Sequence, residues 1–469
     1  MGSFRRAGAV LGVALGILSP AIPAAAGDLV KVPGLFAPQG SMAAAIDIVC
    51  PKLLAAGFAT QNSGAGDLTR RCRETQQNAN ANQASGATTF SLGLGNAQLA
   101  NVLGLLAHEE ATVQSAGAIE AGASVTRAIA GRLRALRQGT RGINVSGLSV
   151  PVDSRFVSAG DLIGIDGAAG GGADSDAYGR WGGFLNGAYS FGNKHGRERE
   201  SGFDFRSGLV TAGVDYRVTD AFVAGVAISY TRSDADIDRN LGDLDTDSYG
   251  ISLYGTAYWG GFYLDSLVGF TWNSYDMTRR ISYAAGPGAG GGAAGVVVDR
   301  TARADTDAPQ LTASLGFGYE FRPAGFVVSP FLRAEFVGLL IEGYKEKGAG
   351  GLDLKVKEQE VFSLQHALGA QLGYPFSLPF GVLTPYVRAE WRHEYLHHKR
   401  RITAKYANDP FNVFFSVPTD DPDRDFFGLA LGVSHQFKAG VAAFLNYETV
   451  LGLRAVNAHT FTAGLRVEF

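Results

Sequence analysis

From Gly179 to the end of the chain, apolar residues recur at every second position. In the last stretch, Phe461, Ala463, Leu465, Val467 and Phe469 alternate with Thr462, Gly464, Arg466 and Glu468. Phe222, Ala224, Val226, Ile228 and Tyr230 form another such run, as do Phe262 to Trp272, Leu311 to Phe321 and Phe427 to Phe437. A period of two is that of a β-strand with one apolar and one polar face. Charged residues on the polar face suit a water-filled lumen with lipid outside. About twelve such segments can be counted, the even number that a closed single-chain barrel needs. Short turns at 218–220, 260–261, 322–325, 377–380 and 438–440 alternate with long polar or Gly-rich loops at 192–202, 233–246, 277–306, 346–357 and 398–423. This is the asymmetry of short periplasmic turns and long extracellular loops. Trp181, Tyr230, Tyr258, Trp259, Trp272, Tyr275 and Tyr395 fall near strand ends, as interfacial girdles require. The pattern predicts an all-β C-terminal transmembrane barrel of about 12 antiparallel strands over 179–469, preceded by a small α-helical N-terminal region.

The text before Gly179 is different. Arg5 and Arg6, an apolar run from Ala7 to Leu18 and the small residues Ala24 to Gly27 read as a secretory signal peptide over 1–26. Residues 27–137 read as helical. Ala43 to Ala56 is apolar and stops at Gly57, and Asp67 is the expected N-cap of a second helix. A longer helical pattern covers 96–137, with Leu99, Val102, Leu103 and Leu106 on one face and Val125, Ile129, Leu133 and Leu136 further on. Gly117 and Gly122 are the expected points of interruption. Residues 138–178 read as a linker, with a short strand around 142–150 and a flexible Gly tract at 167–172.

Composition supports this division. Glycine makes up 64 of 469 residues, about twice the usual ~7% share, which favours strands, turns and loops over ordinary helices. The net charge of −3 gives no reason to expect nucleic acid as a partner. No window after the N-terminus holds the ~20 apolar residues of a membrane-spanning helix. Cys50 and Cys72 are the two cysteines; in an exported chain an even count suggests a disulfide, with two buried thiols as the alternative.

No catalytic or cofactor-binding constellation stands out, and no metal or cofactor is expected. His393-Glu394-Tyr395-Leu396-His397 matches H-E-x-x-H, but that motif works on a helix. On a strand the two histidines stand ~13 Å apart, too far to share an ion. The repeated tract Pro330-Phe331-Leu332-Arg333-Ala334-Glu335 and Pro385-Tyr386-Val387-Arg388-Ala389-Glu390 places Arg333, Glu335, Arg388 and Glu390 on one face, and Arg392 and Glu394 continue the second strand. A basic residue facing lipid near the midplane costs ~2–4 kcal/mol, so these residues, with Arg466 and Glu468, are expected in the lumen. There they either pair and bind a plug or simply hydrate the pore. Thr312, Ser314, Gly316 and Gly318, and Gly428, Ala430, Gly432 and Ser434, are runs of small inward residues. They leave room for a helix or ease the curvature of the wall.

The barrel region, the signal and the terminal aromatic together resemble the autotransporters, the type V secretion proteins. Cys50-Pro51-Lys52-Leu53, Asp67 to Glu74, Ala107-His108-Glu109-Glu110 and Arg132 to Gly139 resemble a branch with a short helical passenger. The resemblance implies an α-helix inside the barrel. Glu120 to Arg137 is the candidate; Arg127 and Arg134, two turns apart and off its apolar stripe, either meet acidic lumen groups such as Glu390 or lie solvated on a surface helix. It implies Phe469 as the signal read by the barrel-assembly machinery, and a monomer in the outer membrane of a Gram-negative bacterium. The passenger would be non-catalytic and displayed at the cell surface. The alternative is a porin-like solute channel with a periplasmic or plugging helical segment.

Overall fold

The computed structural model describes residues 29–107, 111–137, 149–152, 155–158, 180–197, 200–396, 400–421, 423–437 and 441–468. Four helices come first: α1 Ala37–Ala55, α2 Gly64–Asn82, α3 Asn96–Leu106 and α4 Ala111–Arg137. Gly57 sits at φ +73° just beyond α1, where a residue with a Cβ is disfavoured. The cap of α2 is not Asp67 but Ser63, whose Oγ accepts the Gly66 N–H at 3.1 Å. Asp67 instead lies in the first turn and faces the barrel. The long helical pattern breaks at Ala107, ahead of both Gly117 and Gly122, which lie inside a continuous α4. In the linker, Ser149–Val152 pairs antiparallel with Arg155–Ser158.

Twelve strands then close a ring. They are β1 Trp181–Lys194, β2 Phe203–Thr219, β3 Phe222–Ile237, β4 Gly242–Trp259, β5 Phe262–Ala284, β6 Val297–Tyr319, β7 Val327–Ile341, β8 Gln359–Gly373, β9 Gly381–Glu394, β10 Asp425–Phe437, β11 Val441–Leu451 and β12 Val456–Glu468. Each pairs antiparallel with the next, and β12 pairs with β1 from Val456↔Lys194 to Glu468↔Gly182. Closure leaves no unpaired edge, a condition for strands to lie in lipid. The sides of each strand alternate as the pattern requires. Ile228, Leu253, Val268, Leu315, Phe461 and Leu465 are exposed on the outer wall, whereas Thr211, Thr256 and Asn273 are buried inside. Of the aromatics assigned to the girdle, Tyr258 and Tyr275 have the opposite parity: both point inward, and Tyr275 is fully buried. The side chain of Val467 and the whole of Phe469 lie outside the described residues.

The loops are shorter than their polarity suggests. β5 and β6 run for 23 residues each, where ~9–11 cross the membrane. Residues 233–246 are mostly strand, and only 285–296 of the 277–306 stretch is loop. Beyond the lipid both faces of a strand meet polar surroundings, so the alternation fades while the backbone keeps pairing. Four short strands from the remaining long segments, Tyr344–Lys345, Leu354–Val356, Arg401–Tyr406 and Phe415–Pro418, form a second antiparallel sheet.

Helices α1 to α3 pack on this outer scaffold. Met42, Ile46 and Leu53, with Leu68 of α2 and Leu99 and Leu103 of α3, share one core with Ile281, Tyr283 and Val298 of the β5–β6 extension and with Leu354, Val356, Ile402 and Phe415 of the small sheet. Cys50 and Cys72 form a disulfide between α1 and α2, Cα–Cα 5.8 Å. Two glycines in the runs of small inward residues also make room for side chains of the wall itself. A Cβ at Gly318 would lie 2.4 Å from the Tyr263 ring, and one at Gly432 2.4 Å from the Tyr386 ring. Each glycine seats the inward tyrosine paired with it across the strands.

The disulfide closes a segment spanning 22 positions, a constraint worth about 3 kcal/mol in the chain-entropy description. A Cys50→Ala/Cys72→Ala chain should keep the heat-modifiable gel shift of its barrel while residues 37–106 lose protection from hydrogen exchange. Unchanged exchange across α1 and α2 would contradict this role.

Candidate functional site in the barrel lumen

Helix α4 is 27 residues long, about 40 Å at 1.5 Å per residue, enough to cross the ~30 Å hydrocarbon layer. At its first turns, the Gln114 carbonyl accepts from Tyr275 Oη at 3.3 Å, Gln114 Oε1 accepts from Gln359 Nε2 at 3.3 Å, and Ser115 Oγ accepts from Arg400 Nη2 at 2.7 Å. All three partners lie towards the long-loop end. At mid-length, Asn186 Nδ2 donates to the Ala128 carbonyl at 3.3 Å. Near the last turns, Arg132 makes two bonds of 2.7 Å to Asp215, through Nε and Nη2, and Tyr254 Oη donates to the same carboxylate at 3.0 Å. Asp215 lies just before the short β2–β3 turn. The helix therefore threads the barrel from the loop end to the turn end.

Its two faces meet two kinds of wall. Val125, Ile129, Leu133 and Leu136, spaced four, four and three apart, pack against Phe184, Leu209, Val223, Ala227, Tyr254 and Leu267 from β1 to β5. The other face meets charge. Arg333 Nε lies 2.8 Å from Glu335, and its Nη2 lies 3.4 Å from Glu390. Arg388 reaches Glu390 at 3.8 Å and Glu448 at 2.6 Å. Arg392 bonds Glu390 through Nε at 2.6 Å and lies 3.7 Å from Glu448. From the helix, Arg127 pairs with Glu120 of its own element and lies 3.9 Å from Glu448. Arg127, Arg333, Arg388 and Arg392 are thus set among Glu120, Glu335, Glu390 and Glu448, and the charges balance. A dry lumen tolerates such groups only when each has a partner.

Five of the residues singled out from the repeated tract meet here: Arg333, Glu335, Arg388, Glu390 and Arg392. Glu394 does not join them. It accepts from Ser363 Oγ at 2.5 Å and from the Leu364 and Leu396 N–H groups at 3.0 and 2.8 Å, holding the strand end. Arg127 meets Glu448 rather than Glu390, because three wall arginines already surround Glu390. Arg134 and Arg466, with Gln371, line a cleft between the lower half of α4 and β8 to β12. The side chain of Glu468 and all of Phe469 lie outside the described residues. His393 is on a strand and its Nδ1 lies 2.9 Å from Asp425 Oδ1, while His397 lies outside the described residues. Sequence reasoning missed Arg132, Asp215 and Glu448. The available signals were an arginine beside the apolar stripe of α4 and isolated carboxylates at inward positions of β2 and β11.

An up-and-down barrel of twelve strands with an apolar outer wall, filled by a helix entering from the loop end, defines an outer-membrane protein with a plugged lumen. The chain belongs to the autotransporter beta-domain family, whose model matches residues 183–448. It lies in the outer membrane of a Gram-negative bacterium. Esterase EstA of Pseudomonas aeruginosa is 24% identical over 239 residues, covering 50% of this chain and 35% of that protein. An extracellular serine protease of Serratia marcescens is 25% identical over 281 residues, covering 60% of this chain and 24% of that protein. The chain thus spans about a third or less of the length of these relatives. Among solved structures, the translocator domain of autotransporter NalP from Neisseria meningitidis matches with a TM-score of 0.47 at 16% identity, covering 66% of this chain and 93% of that one.

Two predictions follow from the electrostatics. Arg132→Ala leaves Asp215 buried without its cation and should cost about 3–5 kcal/mol, read as a lower temperature for loss of the folded gel band. Adding Asp215→Asn should recover most of that loss; no recovery would mean that Arg132 acts by packing alone. In the outer region, burial pushes the Glu74 carboxyl up to about 7, against the pull of Arg71 at 2.8 Å. The folded state then holds a proton that the unfolded chain releases near 4.5, so stability falls as pH rises from about 4.5 to about 7. Glu74→Gln should flatten that slope in thermal melts of α1 to α3, and an unaltered slope would exclude Glu74 as its source.

Proposed function

We propose that this autotransporter carries a short, non-catalytic helical passenger region, about residues 27–137, whose first three helices are displayed at the outer face of the membrane while α4 stays in the lumen. The observation that carries the reading is the path of α4. It enters at the loop end beside α1 to α3 and leaves at the turn end, where the linker leads into β1. A chain threaded in this way has residues 29–107 on the outer side of the membrane. The signal peptide ends near Ala26, residues 138–178 are the linker, and the barrel takes up 179–469. The relatives with enzymatic names are longer proteins that match this chain over a quarter to a third of their length. Their activities therefore belong to them, and the work of this passenger is display. No cofactor and no nucleic acid enter this function. The chain acts as a monomer embedded in outer-membrane lipid, and Phe469 presents the terminal aromatic to the barrel-assembly machinery. The paired charges and apolar contacts around α4 favour a closed lumen over a solute channel.

A tag inserted near Ser85 should bind antibody on intact cells, and deletion of residues 120–137 should raise single-channel conductance. A tag reached only after the outer membrane is opened, with conductance unchanged by the deletion, would replace display with a porin carrying a periplasmic appendage. A chain ending at Glu468 should give a lower yield of the heat-modifiable form in membranes. Normal yield would remove the role assigned to Phe469.

A further inference from the structure

The glycine-rich loop between β5 and β6 is wrapped around a piece of the helical region. Its Gly286 N–H donates to the Leu92 carbonyl at 2.7 Å, Gly290 N–H to Ser91 at 2.8 Å and Gly292 N–H to Thr89 at 2.9 Å. Two backbones approach this closely only without side chains between them. A Cβ on Gly290 would fall 2.4 Å from the Thr89 carbonyl oxygen, and one on Gly93 2.3 Å from the Ala289 nitrogen. The captured segment is itself held ready by α2. Gln77 Oε1 accepts the Phe90 N–H at 2.8 Å, Arg73 lies over the Phe90 ring at 3.6 Å, and Asn78 bonds both backbone groups of Leu94 at 2.8 Å.

Three further attachments are independent of this loop. Arg279 of β5 makes a buried pair with Glu346, at 2.9 Å through Nε, and also donates through Nη1 to the Leu105 carbonyl at the end of α3, at 3.0 Å. Asp67 of α2 takes Arg300 of β6, Nη2 to Oδ1 at 3.1 Å, and the Gly351 N–H at 2.8 Å. Against α1, Ser41 Oγ donates to the Ser416 carbonyl at 2.6 Å. Each attachment joins a residue of the helical region to a residue that lies between β5 and β10.

We infer that residues 29–107 are a lid fastened to their own barrel, with the 285–296 loop acting as a clasp on residues 88–93. This rests on the outward-display reading and goes beyond it. The helices share their core with the barrel: the apolar residues of α1 to α3 are buried jointly with Ile281, Tyr283, Val298, Leu354, Val356, Ile402 and Phe415. Release would expose both halves of that core to water, which the hydrophobic effect opposes. The lid therefore stays with the barrel after export. The surface offered to the outside is a composite of helices and loops.

The test is hydrogen exchange on the full-length protein in detergent micelles. The Gly286, Gly290 and Gly292 amides should exchange roughly a hundredfold more slowly than in an unfolded chain. Gly290→Val and Gly93→Val should speed them about tenfold or more, with the heat-modifiable shift of the barrel kept. Gly291→Ala is the control, since nothing lies within 4 Å of a Cβ there. Fast exchange of the three amides in the unaltered protein, beside protected barrel strands, overturns the clasp. Unchanged exchange in Gly290→Val overturns it too. Should that variant fail to fold, the unaltered protein alone decides. Slow exchange together with a tag at Ser85 hidden on intact cells would keep the clasp and sink the display reading, so the two failures are distinct.

Discussion

The structure depends on filling the lumen of a closed barrel. Twelve strands pair completely with their neighbours, because lipid offers no hydrogen bonds to an open edge. The ring that results encloses more space than its own side chains occupy, and helix α4 fills much of it, leaving a cleft against β8 to β12. Its apolar stripe selects the β1 to β5 wall, and its charged face is left against β7, β9 and β11. Both the orientation of the helix and the side to which the charges face follow from this division.

Once the helix is in place, the charges buried against it need partners. The wall provides carboxylates and guanidinium groups from three strands, and α4 adds one of each, Arg127 and Glu120. Such a cluster is stable as a set and sensitive to any single loss, since removing one charge strands another in a medium of low dielectric. Arg132 and Asp215 repeat the arrangement near the turn end, with Tyr254 as the third member. The helix is thus tied near both its ends and along its length, which suits a plug rather than a sliding element.

Beyond the lipid the same strands change role. The β5–β6 extension, the small four-stranded sheet and α1 to α3 build a second core, larger than the one in the lumen. Length alone makes this possible: strands of 23 residues carry the hairpin well past the membrane and present Ile281, Tyr283 and Val298 to the helices. Membership of the autotransporter family accounts for the barrel. It does not account for the outer core, whose residues come from both parts of the chain.

Much was legible along the chain. The alternation of Phe461 to Glu468 declared its sidedness, because a period of two is a property of the strand itself and needs no partner to appear. The apolar stripe of Val125 to Leu136 declared a helix for the same reason, and Cys50 and Cys72 lay one helical hairpin apart. What contacts what could not be read in this way. Asp67 has the look of a helix cap, yet a serine four residues earlier has that role, and Asp67 is drawn to Arg300, 233 positions away. Glycines at 318 and 432 suggested empty space, yet each is filled by a tyrosine from the adjacent strand. Polar stretches at 233–246 and 277–306 resembled loops because both strand faces there are wet or covered by other polar groups, and alternation carries no signal once the lipid ends. Local geometry, sidedness and the existence of a barrel follow from residue spacing alone. Which arginine meets which carboxylate, and the sharing of one core by the helical region and the loops, depend on distances between residues hundreds of positions apart.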